Sequence, residues 1–169
     1  LVKNGLQEKL FSQVVVLLME RGLILKKGTI VDSTIISAPS STKNKDKQRD
    51  PDAHQVKKGN TWHFGYKAHV GVDKDSGIVH TIKVTAANQH DVSMTSELLT
   101  GEETVVYGDS GYLGAEKRED AVKKNKNGKR IRYKINCRPS QIAKKSTRSQ
   151  GQLKHREREK SSIRAQVEH

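Results

Sequence analysis

A single cysteine, Cys137, excludes a disulfide framework, and without a CxxC pair the sequence carries neither zinc-ligand spacing nor a dithiol redox motif. Long apolar runs are missing as well. The most hydrophobic stretch, VVVLLM at 14–19, is far shorter than the roughly 18 residues a bilayer span needs, and charged residues flank it closely. Aromatic residues make up 4% of the chain and hydrophobic residues 33%. The core must therefore be economical for 169 residues, with part of the chain in loops or extensions. That length suits one domain. A cytoplasmic location is expected. The chain begins with Leu and stops at His169 within a helical pattern, so a fragment of a longer protein is also expected.

Charge is abundant, and its placement matters more than its total of +13. Residues 1–114 hold 14 basic and 13 acidic residues, whereas residues 115–169 hold 18 basic and 6 acidic. A cationic last third attracts polyanions, and nucleic acid is the commonest such partner because each neutralised phosphate releases a condensed counterion. An anionic membrane surface is the competing partner.

Apolar periodicity predicts a helix over 5–21, closed by Gly22, then a strand in TIVDSTII (29–36) that carries one acid, Asp32, within an apolar run. The polar segment 37–60 is expected to be a mobile loop. Alternation in HFGYKAHVGVD followed by IVHTIKV predicts a hairpin over 64–84. Asp91 can cap a short helix through Leu99. TVVYGD forms a strand ending in Asp109, residues 115–126 a helix, and RIRYKIN a fifth strand. A basic connector, about 138–154, leads to a last helix.

Three hairpin-linked strands followed by alternating helix and strand predict an α/β fold, a ribonuclease H-like mixed five-stranded sheet flanked by helices. The first strand would then lie beside the fourth and bring Asp32 to Asp109. Paired carboxylates repel unless a cation sits between them, and hard oxygen donors suit Mg²⁺ or Mn²⁺. Two such ions can drive an in-line attack at phosphate. A rival reading takes GDSG at 108–111 as a serine protease loop with Ser110 as nucleophile. That chemistry needs a partnering His and Asp, usually within an all-β fold.

TIVDSTIISAPSSTKNKD, the KKGN-W-FGYKAHVGVD stretch, the TAAN-HD turn, VYGDSGYLG and SSIRAQVEH together resemble the transposases of bacterial insertion sequences, specifically the insertion-sequence-five group of DDE enzymes. The resemblance runs from about Gly5 to His169. It implies a metal-dependent enzyme that cuts DNA at element ends and joins the freed 3′-hydroxyl to target DNA, with Asp32, Asp109 and Glu168 as catalytic and metal-binding carboxylates. It also implies two Mg²⁺ or Mn²⁺ ions, a homodimer on DNA, association with the bacterial nucleoid, and a catalytic domain over 29–169 preceded by a helical segment over 1–28. In the family's third motif (Tyr, two residues, Arg, three residues, Glu), Arg164 and Glu168 match, and Ser161 occupies the Tyr position.

Candidate DNA contacts are Lys57, Lys58, Lys160 and Arg164. Arg164 could equally form a surface ion pair with Glu168, four residues on. Trp62 could stack on an unpaired base, although core packing is the commoner use of a tryptophan at a strand start. His63, His69 and His80 read as structural or surface residues. The alternatives to a transposase are a non-catalytic DNA-binding remnant and a nuclease that only hydrolyses.

Overall fold

In the computed structural model, which describes residues 5–43, 45 and 47–167, the β-branched run predicted as the first strand forms β1, Gly28–Ser37. Its first four residues are buried, and Asp32 is the first that is not. The acid thus stands where the strand leaves the core. The remaining strands are β2 (His54–Lys58), β3 (Thr61–Asp73), β4 (Val79–Ala86), β5 (Val105–Gly108) and β6 (Arg132–Ile135). They form one mixed sheet in the order β2-β3-β1-β5-β6, with β4 also on β3. The β1–β3, β2–β3 and β3–β4 pairs are antiparallel, and β1–β5 and β5–β6 are parallel.

The sheet has six strands where five were expected. The extra one, β2, lies within the polar segment read as a mobile loop. HQVKK has almost nothing to bury, but β3 extends past β1, and β2 satisfies the backbone groups of that overhang from His54↔Gly65 to Lys58↔Thr61.

Both sheet faces carry apolar clusters. Val31 and Val106 face Leu98, Tyr112, Ile131 and Ile135 on one side. Ile30, Val72, Val105 and Tyr107 form the other, with Ile163 and Val167 packed against them. Those two residues belong to the C-terminal part of the chain, where α3 (Thr147–Arg164) ends in a 3₁₀ turn at Ala165–Val167. The basic connector is therefore largely helical, comprising α2 (Pro139–Ala143) and the start of α3. The N-terminal helix α1, Leu6–Glu20, forms as the periodicity predicts; within it Val15 is buried, while Leu10 and Val16 are exposed.

Two other expected helices are replaced by tighter structure. Residues 91–99 form 3₁₀ turns at Asp91–Met94 and Ser96–Leu98, which bury Met94 and Leu98. Asp91 does not cap them, because its side chain is engaged elsewhere. Residues 115–126 hold one 3₁₀ turn, Ala115–Lys117, and then a turn organised by Asn125, whose Oδ1 accepts the Asn127 and Lys129 N–H groups at 3.1 and 2.9 Å. Tyr133 donates to the Val122 carbonyl at 2.9 Å and holds this segment down. Its few apolar residues, with Ala115 buried and Val122 packed on the core, are too sparse to form a stripe for a helix to bury.

Upstream of Asp32, the start of β1 is fixed by a buried polar chain. Thr29 Oγ1 donates to Glu103 Oε1 at 3.0 Å, and His80 Nε2 lies 3.1 Å from the same hydroxyl. His80 Nδ1 is 2.8 Å from the Thr81 hydroxyl. The network thus fits a neutral ring with its proton on Nε2. Burial pushes the His80 pKa down, against the opposing pull of Glu103 and Asp73. On acidification the unfolded chain takes up a proton that the folded ring refuses, so this contribution is complete above the unfolded His pKa of about 6.5 and is lost as pH falls below it. The urea midpoint should therefore drop between about pH 7.5 and about pH 5.5, and His80→Gln should reduce that slope. Equal slopes for the two proteins would contradict this assignment.

Candidate active site

The parallel ladder between β1 and β5 ends at Val31↔Gly108, so the next residues along the two strands are Asp32 and Asp109. Asp32 follows Ile30 in the strand alternation, and Asp109, still extended (φ −76°, ψ −177°), follows Tyr107. Both acids continue the rows that begin in the cluster covered by Ile163 and Val167. Glu168, the third acid that the resemblance implies, lies outside the described residues.

Local hydrogen bonds orient each acid, and the chain turns after the second. Asp32 Oδ1 accepts the Ser33 N–H at 2.8 Å, and Asp109 Oδ1 accepts the Gly111 N–H at 2.8 Å, capping the 3₁₀ turn Ser110–Tyr112. Gly108 lets the neighbouring side chains pack closely at this exit. A Cβ there would meet Ile135 Cδ1 and Val31 Cγ2 at 3.1 Å and Tyr112 Cβ at 3.2 Å. Ser110 belongs to the turn, and no histidine among the described residues hydrogen-bonds its hydroxyl, so the protease reading has no support in the geometry.

A cleft of about 180 Å³ opens over these residues, lined by Asp32, Asp109, Asp91, Lys57, Lys58 and Lys67, with Ser33, Ile35 and Val56. Asp91 reaches it from the 3₁₀ turn, and its Oδ1 accepts from Lys67 Nζ at 2.9 Å and from Ser33 Oγ at 3.0 Å. Lys67 is itself nearly buried and also donates to the Gln89 carbonyl at 2.8 Å. His69, fully buried, pairs its Nε2 with Thr85 Oγ1 at 2.9 Å. Its Nδ1 has no hydrogen-bond partner among the described residues and lies 3.8 Å from Asp91 Oδ1. Burial holds the ring's pKa down against the pull of Asp91. Beneath the cleft, Tyr112 is fully buried, and its hydroxyl, next to Ser33, completes no hydrogen bond of ordinary geometry. Burial raises the phenol pKa, and the nearby charges of Asp91, Asp32 and Asp109 add to the rise.

Asp91 and Lys67 are the parts of the cleft that sequence reading missed, and the buried His69 behind them is the structural histidine it allowed for. The alternation over 64–72 placed Lys67 and His69 on the weakly apolar row of β3, where a solvated face is the simpler expectation. The signal was the glycine that ends their row: a Cβ at Gly71 would lie 2.5 Å from the Leu98 carbonyl oxygen. A position without a side chain admits a covering segment, and here it admits the Ser96–Leu98 turn, which directly follows the turn that carries Asp91.

Lys57 and Lys58 reach the cleft through β2. Trp62, the cross-strand partner of Lys57, is 64% exposed and so is not used in the core. Lys160 and Arg164 turn toward the protein. Lys160 Nζ donates to the Ile135 carbonyl and to Glu157 Oε1, both at 2.7 Å, and Arg164 Nη1 donates to Asn136 Oδ1 at 3.2 Å. Glu157 Oε2 accepts from Asn136 Nδ2 and from the Cys137 N–H, both at 2.8 Å. Burial pushes the Glu157 carboxyl up, but hydrogen bonds from Lys160, Cys137 and Asn136 outweigh it and keep it below its usual range. These bonds tie α3 to the end of β6.

Asp32 and Asp109 offer hard oxygen donors, the set that suits Mg²⁺ or Mn²⁺. Among the described residues no three His, Cys, Asp or Glu side chains converge closely enough to hold a metal by themselves. No described helix is long and apolar enough to cross a membrane.

The family described as Transposase DDE domain matches the chain over residues 24–169, a span that includes β1, β5 and α3 with both cleft aspartates of the ladder. No solved structure matches the chain.

Lys67 balances the charge of Asp91 in a place with little water, so its loss leaves a poorly compensated carboxylate. Lys67→Met, which keeps the stem volume, should lower stability by about 1–3 kcal/mol in urea denaturation, and an unchanged midpoint would rule out this pairing as a stabilising contact.

Proposed function

Because the chain belongs to the DDE transposase family, we propose that its cleft cuts DNA phosphodiesters at the ends of a mobile element and joins the freed 3′-hydroxyl to target DNA. The reading rests on one observation above all: Asp32 and Asp109 directly follow the last rung of the parallel β1–β5 ladder and stand side by side at one cleft. It extends to the insertion-sequence-five group because the motifs around both acids resemble that group's. Catalysis over residues 29–169, with two chains acting together on paired element ends, belongs to the same proposal.

Asp32 and Asp109, with Glu168 as the third carboxylate, would hold the divalent cation on which DDE transposases generally depend. When bound, such an ion activates the attacking oxygen and stabilises the leaving one at phosphorus. The chain's own residues supply the rest. The rigid β1–β5 ladder fixes the spacing of the two acids, and the cap at Gly111 fixes the direction of Asp109. Lys57 and Lys58 offer ammonium groups to the phosphates that flank the cut, as point charges that position the strand without reading its sequence. Residues 115–169 add the wider cationic field, with Lys160 and Arg164 serving chiefly to seat α3.

Nicking and joining of labelled element-end DNA with Mg²⁺ test the proposal. Asp32→Asn and Asp109→Asn should each reduce nicking at least about a hundredfold while DNA binding persists. Nicking that survives both substitutions sinks the assignment. Cleavage without any joined product would favour a hydrolytic nuclease, and salt-sensitive binding without cleavage by the unaltered chain would favour a DNA-binding remnant.

A further inference from the structure

Asp91 belongs to the cleft but is not one of the acids that the family resemblance singles out. Its two oxygens are used differently. Oδ1 is fully engaged, accepting from Lys67 Nζ at 2.9 Å and Ser33 Oγ at 3.0 Å. Oδ2 accepts no hydrogen bond from any described residue. Its direction follows from Gly111, where a Cβ would lie 3.3 Å from Asp91 Oδ2 and 2.9 Å from Asp109 Oδ1. The missing side chain of Gly111 leaves a gap, with an oxygen of Asp91 on one side and an oxygen of Asp109 on the other.

A carboxylate tied down by one oxygen and open at the other is a preorganised acceptor. Two further observations point to a polar occupant beside this carboxylate. Nδ1 of His69 is fully buried, lies 3.8 Å from Asp91 Oδ1 and has no hydrogen-bond partner among the described residues, and the buried hydroxyl of Tyr112, next to Ser33, completes no hydrogen bond of ordinary geometry. Buried polar atoms are ordinarily paired, with protein or with ordered water. Orphans gathered around one carboxylate mark a place where solvent or a hydrated ion belongs. A direct third ligand is not what the geometry offers, since Asp32, Asp91 and Asp109 do not converge as a three-ligand set. Mg²⁺ and Mn²⁺ sites with few carboxylates keep several waters, and those waters need acceptors.

We infer that Asp91 is a positioning residue whose Oδ2 accepts hydrogen bonds from water on a divalent cation held by Asp32 and Asp109, with Lys67 and Ser33 fixing its orientation. The inference rests on the metal-site reading of the cleft given above. Lys67 has a definite part in it: its positive charge lets a further carboxylate stand beside two others without simple repulsion dominating. Outer-shell partners of this type orient bound water, and their loss typically weakens metal binding by roughly 10- to 100-fold.

Mn²⁺ titration of the chain without DNA, followed by the electron paramagnetic resonance signal of the free ion, tests the inference apart from activity. Thermal unfolding of the metal-free protein serves as the fold check. Asp91→Asn keeps an acceptor oxygen for Lys67 and Ser33 and should weaken Mn²⁺ affinity at least about tenfold while the protein stays folded. Asp32→Asn and Asp109→Asn should weaken it more. Wild-type Mn²⁺ affinity in Asp91→Asn, with binding still lost in Asp32→Asn and Asp109→Asn, overturns the inference and leaves the metal-site reading standing; a lower unfolding temperature alongside would mark Asp91 as a structural tie. Wild-type affinity in all three variants overturns both. If Asp91→Asn does not fold, Ser33→Ala takes its place, because it frees one anchor of Oδ1 and keeps every charge. Severalfold weaker Mn²⁺ binding in folded Ser33→Ala supports the inference, and unchanged binding overturns it.

Discussion

The parallel pairing of β1 with β5 is the constraint on which the rest of the molecule depends. Two aspartates far apart in sequence become neighbours because Ile30 and Val31 run alongside Tyr107 and Gly108, and each strand passes out of the core at its acid. The pairing is held from both sides. Leu98, Tyr112, Ile131 and Ile135 pack beneath it, while Ile163 and Val167 cover the opposite face. Apolar burial thus supplies the rigidity, and the acids occupy the first positions that burial does not claim. A carboxylate one residue earlier on β1 would replace Val31, which is fully buried, and would have to be desolvated there.

Charge in the cleft is close to balanced by design of the fold rather than by local sequence. Asp32, Asp91 and Asp109 come from three separate segments, and Lys57, Lys58 and Lys67 from β2 and β3. The cations differ in what they do. Lys67 is nearly buried and committed to Asp91 and the Gln89 carbonyl, so it organises the site. Lys57 and Lys58 lie on an edge strand with exposed positions and suit an incoming polyanion. A similar division runs through the cationic last third, where Lys160 and Arg164 bond inward to the end of β6 and most neighbouring basic residues remain on the surface.

Much of this was legible from residue order. A lone acid inside TIVDSTII and another at the end of TVVYGD identify the strands that matter, and the hairpin alternation fixes the neighbours of β1. Other parts depend on contacts between distant segments. HQVKK forms β2 because β3 overhangs its neighbours, and no local property of those five residues predicts it. Residues 91–99 carry helix-like spacing at Met94 and Leu98, yet Asp91 is drawn to Lys67 and Ser33, and the segment tightens into 3₁₀ turns. Trp62 follows the same logic in reverse: its size favours burial, but it stands on the part of β3 that only β2 accompanies, and no second layer reaches it.

The most direct test of the account is where a divalent cation sits. Crystals of the chain soaked in Mn²⁺ and measured at the manganese absorption edge should show an anomalous peak between the Asp32 and Asp109 carboxylates, with oxygens of both at about 2 Å. Manganese bound elsewhere, with these two aspartates uncoordinated, would contradict the claim that the β1–β5 ladder exists to build a metal site.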